Sequence, residues 1–386
     1  MGPDVSGGDA GRRVVLHVGA PKSGTTFLQR SMWARREALR AVGVEPVGDQ
    51  AREMFHAAIE VRGTQRFWQL DSSKIEGTWQ RLCDQARRAT GTVVMSHETL
   101  AAARSSRAAQ AMEALSGLEV HLVFTARDLG RQVPSEWQER IKNGGTTSFA
   151  TFQQGLLEEI RSGRTDSGFW RSQDVLSVLE RWGHDIPPDR THVVVAPPSG
   201  SAPEVLWQRF AEAVGFDGER IPPDAERAPS NRTLGAVQTA LLRKVNLTLD
   251  GRIPQPHYAK VVKRSFSQGL LAQQRSAPIR CLPELREELR ERAGEQVAEI
   301  ARRGFRVHGD PAELVPAPEG GDGIDPDVVD PDEWGAAAVV AIADLLEARV
   351  PHRARRSAAP DPGPAAPSPS AGTGLRSRLR RLRRGA

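Results

Sequence analysis

The chain of 386 residues has few cysteines and no long apolar run. Its two cysteines, Cys83 and Cys281, exclude a disulfide scaffold and an all-cysteine metal site. No segment approaches the roughly 18 apolar residues that cross a bilayer. The Gly/Asp-rich first twelve residues also carry no apolar signal-peptide core. These absences predict a soluble, cytoplasmic protein.

Positive charge is concentrated at one end of the chain. The formal net charge is +5, but residues 375–386 hold six arginines and no acid, which leaves about −1 for the rest. Because nucleic-acid binding needs a basic face along the fold, the near-neutral body argues against such a partner. Arginine outnumbers lysine 47 to 6, which indicates a GC-rich coding bias.

Short apolar segments alternate with helical ones along most of the sequence. Four apolar segments are candidate strands: 13–18, 92–96, 120–125 and 191–195. Seven segments have a helical pattern: 27–42, 100–115, 128–142, 149–161, 171–183, 234–249 and 283–304. This alternation predicts an α/β fold with a doubly wound parallel sheet flanked by helices.

The composition predicts four regions. A disordered N-terminus, residues 1–12, precedes a main domain over 13–310. Residues 311–356 are typical of a linker with one helix, and residues 357–386 form a low-complexity, Arg-rich disordered tail.

The end of the tail has an amphipathic pattern. A helix over 375–384 would place three leucines on one face and arginines on the others: Leu375, Leu379 and Leu382. Such a segment can lie on an anionic membrane, which would make the protein peripheral at the inner membrane surface. A solubilising basic tail is the default alternative.

The most informative stretch is GAPKSGTT, from Gly19 to Thr26, between a strand and a helix. A glycine-rich turn at this place lets backbone N–H groups surround a phosphate, helped by the helix dipole. The glycine spacing matches the nucleotide-triphosphate loop GxxxxGK[ST], but Thr25 occupies the lysine position and Lys22 lies three residues earlier. A lysine inside the loop suits a substrate whose bridging oxygen must be neutralised without a metal.

The segment PKSGTT resembles the 5′-phosphosulfate-binding loop of sulfotransferases that use 3′-phosphoadenosine 5′-phosphosulfate (PAPS), and the chain looks closest to the bacterial sulfotransferase-like proteins. The resemblance implies a P-loop-type fold and a catalytic Lys22 that contacts the bridging oxygen and assists departure of the nucleotide phosphate. It also implies that Phe27 lies against the adenine. The loop residues that would bind PAPS are Pro21, Lys22, Ser23, Gly24, Thr25 and Thr26.

A second element supports the resemblance. Arg127 ends the third candidate strand, and Ser135 follows eight positions later. In sulfotransferases an arginine and a serine with this spacing bind the 3′-phosphate of PAPS, and a planar guanidinium can bind two of its oxygens. Arg232 and the pair Lys263–Arg264 are candidates for a third contact to this phosphate, or else solvated surface charges. The resemblance is clear over residues 13–33 and 90–143.

Sulfuryl transfer to an alcohol also needs a base for the acceptor proton. His97 and Glu98 end the second candidate strand, and ligands bind at such strand ends in parallel sheets. Adjacent residues point in opposite directions, so one should face the acceptor, and Glu98 is favoured because SxE is common among bacterial relatives. Ser96 or Glu98 would alternatively cap the following helix. His56 is a third candidate, whereas His17 is expected to be a core histidine.

The acceptor is expected to be a hydroxyl compound, or an amine, of small-molecule, carbohydrate or lipid-linked type. Four tryptophans lie in segments that could line its pocket, but they are equally expected in the core: Trp68, Trp79, Trp137 and Trp170. No bound metal and no nucleic-acid partner is expected.

Two other functions are compatible with a phosphate loop. A kinase or NTPase is disfavoured because lysine is missing at position 25 and no strand ends in an Asp suited to Mg²⁺. A non-catalytic adaptor would keep the nucleotide fold and bind a partner through its arginine tail. The retention of Lys22, Arg127, Ser135 and a candidate base argues against this loss of activity.

Overall fold

A computed structural model describes residues 13–164, 167–224, 234–318 and 323–349. The chain divides into two units, Met1–Ala341 and Ile342–Ala386, and the sheet belongs to the first. Among the described helices, none is both long and apolar enough to cross a membrane. Arg232 and the leucines of the predicted tail helix lie outside the described residues.

Six parallel strands form one sheet in the order β2-β3-β1-β4-β5-β6. They are β1 Arg13–His17, β2 Val44–Pro46, β3 Thr92–Ser96, β4 Glu119–Ala126, β5 Thr191–Val195 and β6 Arg306–His308. The α/β class with helices flanking a sheet is confirmed, and all four predicted strands are present. β3 lies on one side of β1 and β4 lies on the other, so the strand order reverses at β1. The carboxyl ends of β1, β3 and β4 therefore border the crevice where ligands bind in open parallel sheets.

The described residues contain thirteen α-helices, most of which flank the sheet. They are α1 Thr25–Ala34, α2 Arg36–Ala41, α3 Glu53–Arg62, α4 Thr78–Arg88, α5 Ser105–Glu113, α6 Leu129–Lys142, α7 Phe149–Arg161, α8 Gly168–Gln173, α9 Val175–Trp182, α10 Pro203–Val214, α11 Ala236–Leu249, α12 Pro283–Arg303 and α13 Pro331–Arg349. Two further helical segments bear on the site: the 3₁₀ turn Glu98–Ala102 and the π-helix Ala259–Leu270.

Both faces of the sheet are covered by apolar side chains. In β1, Val14 and Leu16 belong to one buried cluster with residues of α3, α4, α5 and α9. Val15 belongs to another cluster, with residues of α1, α2 and α10. Successive strand residues face opposite sides, so a sheet buried on both faces needs continuous apolar runs, as these strands have. A third cluster joins α6, α7, α11 and α12 around the buried indoles of Trp137 and Trp170.

His17 connects three strand ends inside the core. Its Nδ1 lies 2.8 Å from Ser96 Oγ and its Nε2 lies 2.8 Å from Thr125 Oγ1, and no part of the side chain is exposed. The predicted core role of His17 is therefore confirmed. Burial lowers the pKa of His17 to about 4, although the charge of Glu98 acts in the opposite direction.

This histidine should make the protein sensitive to acid. The unfolded chain takes up a proton near pH 6.5, whereas folded His17 does so only near pH 4, so its contribution to stability is complete above pH 6.5 and is lost as the pH falls. We expect a loss of about 2–3 kcal/mol in the free energy of unfolding between pH 7 and pH 4.5. Denaturant titrations of wild type and His17→Gln should show a smaller acid loss in the variant. Equal losses would contradict this assignment.

Candidate active site

The loop that joins β1 to α1 is held in shape by short-range contacts. The Ala20 N–H donates to Thr125 O (2.8 Å), and the Ser23 hydroxyl donates to Ala20 O (2.6 Å). Gly24 has a φ of +94°, a conformation that favours glycine, and a Cβ added there would lie 2.3 Å from Leu206 Cδ2. The loop then enters α1, where the N–H groups of Phe27 and Leu28 donate to Gly24 O. The N–H groups of Thr25 and Thr26 have no such partner among the described residues and form the anion-binding end of the helix.

The side chains of the loop divide into two groups. Ser23 and Thr25 are buried, and the Ser23 hydroxyl already donates to Ala20 O within the loop. Lys22 and Thr26 are exposed. Phe27 is partly buried against the cluster that joins α1 to α10.

The carbonyl groups of the loop are fixed by donors from α6, α8 and the end of β4. Gln132 Nε2 donates to Pro21 O (2.5 Å), and Gln173 Nε2 donates to the same oxygen (3.2 Å). Arg127 Nη1 donates to Lys22 O (3.1 Å). In a trans peptide the C=O and the N–H of the same peptide group point in opposite directions. The hydrogen bonds to Pro21 O and Lys22 O therefore direct the N–H groups of Lys22 and Ser23 away from the three donor side chains. Neither glutamine was predicted from the sequence.

Arg127 and Ser135 are in direct contact. Arg127 Nη1 lies 3.1 Å from Ser135 Oγ, and the Ser135 hydroxyl donates to Arg131 O (2.9 Å). Burial is the main cause that lowers the pKa of Arg127 to about 10, and repulsion from Arg131 is the second. Among the described residues, no acceptor takes a hydrogen bond from its Nε or Nη2. This edge of the guanidinium can therefore bind an anion.

Three lysines surround Glu139 beside the loop. Lys22 Nζ lies 2.5 Å from Glu139 Oε2, and Lys263 Nζ lies 2.7 Å from Glu139 Oε1 and 2.8 Å from Asn143 Oδ1. Burial opposes ionisation of Glu139, but the two ammonium groups outweigh it and lower the pKa to about 2. Burial, reinforced by the charge of Lys22, lowers the pKa of Lys142 to about 8. The cluster holds more positive than negative charge, which suits a polyanion.

Glu98 and His97 have different partners at the end of β3. Gln29 Nε2, from α1, donates to Glu98 Oε2 (2.8 Å). His97 Nδ1 accepts the N–H of Thr99 (3.2 Å) and so caps the 3₁₀ turn. The cap is therefore His97 and neither Ser96 nor Glu98, the residues that the sequence suggested.

These partners decide which of the two residues can accept a proton. Burial lowers the pKa of His97, and attraction to Glu98 offsets only part of the effect, so the ring is neutral at pH 7. Since its Nδ1 accepts from Thr99, the ring proton is on Nε2, and His97 presents a donor. Burial opposes ionisation of Glu98, but His97 and the amide of Gln29 outweigh it and hold the pKa below its usual value. Of these two residues, Glu98 is therefore the one that can accept a proton as a base.

The backbone of Glu98 lies directly against the loop. A Cβ added to Gly19 would lie 2.8 Å from Ala101 Cβ and 3.4 Å from Glu98 O. The loop after β1, the carboxylate after β3 and the guanidinium after β4 therefore border one crevice. Of the other candidates, His56 lines a cavity of about 570 Å³ between α3 and α4, and Arg264 is exposed.

Comparison with known proteins adds no relative to this description. No protein-family model, no curated protein and no solved structure matches the chain. The function is therefore inferred from the geometry of the crevice.

Proposed function

We propose that the protein is a sulfotransferase that moves the sulfuryl group of PAPS to a hydroxyl, or an amine, of an acceptor. The observation that carries the proposal is the position of Arg127, which donates both to the carbonyl of Lys22 and to Ser135. PAPS has anionic groups on both the 5′ and the 3′ side of its ribose, so its binding needs two anion sites at a fixed separation. The Arg127 guanidinium contacts both the phosphate loop and Ser135, so it would fix the separation between the two anion sites.

The donor would bind across the switch in strand order of a P-loop-type, doubly wound sheet. The 5′-phosphosulfate would lie on the N–H groups of the loop and of the first turn of α1, with the Thr26 hydroxyl beside it. The free edge of Arg127, together with Ser135, would bind the 3′-phosphate. Phe27 would lie against the adenine. Within the predicted pair Lys263–Arg264, Lys263 is the stronger candidate for a third phosphate contact, since it lies at the lysine cluster and Arg264 is exposed.

The transfer step would use Glu98 and Lys22. Glu98 takes the proton of the acceptor hydroxyl as its oxygen attacks the sulfur in line with the leaving group. The bond between sulfur and the bridging oxygen breaks, and its electron pair stays on the phosphate of 3′-phosphoadenosine 5′-phosphate. The ammonium of Lys22 offsets the charge that develops on this oxygen, which is the largest electrostatic demand of the step. The sulfated acceptor and the bisphosphate are then released.

Titration with 3′-phosphoadenosine 5′-phosphate tests the donor site without any acceptor. We expect calorimetry in EDTA to show tight binding of the bisphosphate, weak binding of ATP and AMP, and a loss of about 100-fold in Arg127→Ala, because a charge-assisted bidentate contact is removed. Arg140→Ala removes one exposed arginine of α6, the helix that follows Arg127, and should leave the affinity unchanged.

Two other results would contradict the proposal. Binding of ATP that requires Mg²⁺, without binding of the bisphosphate, would favour a kinase or NTPase. Absence of binding for all three nucleotides would favour a non-catalytic adaptor.

A further inference from the structure

Aromatic rings extend from His97 to the protein surface. The Phe55 ring lies 5.4 Å from the His97 ring and 5.3 Å from the Trp68 ring, and Phe67 lies 5.4 Å from Trp68. Trp68 is 43% exposed and Phe67 is 75% exposed. The other tryptophans that the sequence marked are buried in the core: Trp79, Trp137 and Trp170. Exposed rings that lead from His97, the neighbour of Glu98, to the surface form a face on which a flat ligand can pack.

Arg62, which has no acidic partner among the residues that the structure describes, lies near the same strand end. Arg62 ends α3, is half-buried, and lies near enough to His97 for its charge to act on the ring. Burial and the nearby charge of Arg171 both lower the pKa of Arg62. Within the described part of the chain, no carboxylate lies at ion-pair distance from its guanidinium. A half-buried cation beside another cation gains most from an anion that a ligand supplies.

We propose that the acceptor is a hydroxylated ring compound that carries a carboxylate, with its ring on Trp68 and its carboxylate on Arg62. The proposal rests on the proposed function, since it describes the acceptor side of the same crevice. It adds the charge and the shape of the acceptor, which the donor site does not determine.

The charges of the crevice orient such an acceptor in one direction. Glu98 is ionised and repels a second carboxylate, whereas Arg62 attracts it. The carboxylate of the acceptor therefore lies toward Arg62, and its hydroxyl is left to Glu98. A neutral acceptor of the same shape lacks this orienting force and binds more weakly.

Binding of small probes tests the site independently of sulfuryl transfer. The probes are two matched pairs, sodium benzoate with benzamide and sodium glucuronate with glucose, together with sodium acetate, titrated into the full chain at constant ionic strength. We expect the charged member of at least one pair to bind about tenfold more tightly than its neutral partner. A difference within the benzoate pair would indicate an aromatic acid as the acceptor, and a difference within the glucuronate pair would indicate a sugar acid.

Variants assign this preference to the two side chains. Arg62→Gln should remove the tenfold preference, whereas Arg107→Gln, which neutralises an exposed arginine of α5, should retain it. Trp68→Ala, a change at an exposed ring that leaves the core intact, should weaken binding of the preferred charged probe until it binds no better than acetate. Equal affinities within both pairs, no binding of either charged probe, or an unchanged preference in Arg62→Gln would each overturn the proposal.

The bisphosphate titration in the same samples separates this proposal from the proposed function. Arg62→Gln should bind 3′-phosphoadenosine 5′-phosphate as wild type does. If the bisphosphate binds and the charged probes do not, the acceptor proposal fails and the sulfotransferase proposal stands. If the charged probes bind and the bisphosphate does not, the site for a carboxylate-bearing ring stands and the sulfotransferase proposal fails.

Discussion

Lys22→Ala is expected to lower kcat for sulfuryl transfer by about 10³-fold, while the affinity for 3′-phosphoadenosine 5′-phosphate falls by less than tenfold. The reason is that negative charge builds up on the bridging oxygen only as the bond to sulfur breaks. An ammonium on the loop that holds this phosphate interacts more strongly with the transition state than with the bound donor. Single-turnover measurements with PAPS, with the sulfated product quantified by mass spectrometry, separate the two effects.

Lys142→Ala is the matched control for this prediction. It removes one positive charge from the same cluster, but Lys142 ends α6 and is not part of the loop. We expect its kcat to stay within tenfold of wild type. A loss as large as that of Lys22→Ala would mean that the total charge of the cluster, and not the position of Lys22, assists the leaving group. Unchanged activity of Lys22→Ala would remove this residue from the mechanism.

Glu139 explains how Lys22 can be held near the phosphate site before the donor binds. It is ionised at physiological pH, because its pKa is lowered to about 2, and it pairs with both Lys22 and Lys263. A phosphate that binds Lys22 leaves the Glu139 carboxylate paired with Lys263, whose ammonium has hydrogens for both Glu139 and a phosphate. The exchange of partners therefore does not leave a half-buried carboxylate without a cation.

The main strands were predictable because burial on both faces produces a distinct sequence pattern. β1, β3, β4 and β5 are continuous apolar runs, whereas the two missed strands, β2 and β6, have three residues each and contain proline, arginine or histidine. Helix α4 was missed although Trp79, Leu82, Cys83 and Ala86 have helical spacing, a signal that the sequence does contain. The predicted helix 27–42 is two helices, since Arg35 leaves the helical conformation between them.

Ser135 was predicted from its spacing to Arg127, and most of the other predicted site residues follow a strand. The loop, Arg127 and Glu98 all do so, and the sheet brings them together. Glu139 lies 117 residues from Lys22 and 124 residues from Lys263, so only the packing of α6 and the π-helix places them together. One signal was available: the chain has six lysines against 47 arginines, and three of the six are in this cluster.

Glu98→Gln is expected to lower kcat by 10²–10⁴-fold, the usual contribution of a general base. The amide oxygen of the glutamine can still accept from Gln29, so the local structure and the affinity for 3′-phosphoadenosine 5′-phosphate should be retained. The variant loses only the ability to take a proton from the acceptor. Turnover at saturating PAPS, with the bisphosphate affinity measured on the same samples, tests this directly.

His97→Asn is the control that separates the two candidate bases. Asparagine is a good N-cap, so the variant keeps the bond to the Thr99 N–H and removes the imidazole. Since Nδ1 of His97 is already engaged as an acceptor in this cap, the ring has no free lone pair, and kcat should stay within tenfold of wild type. A 100-fold loss in His97→Asn with little change in Glu98→Gln would reverse the assignment. If kcat falls by less than tenfold in both variants, the base that takes the acceptor proton is a residue outside the end of β3.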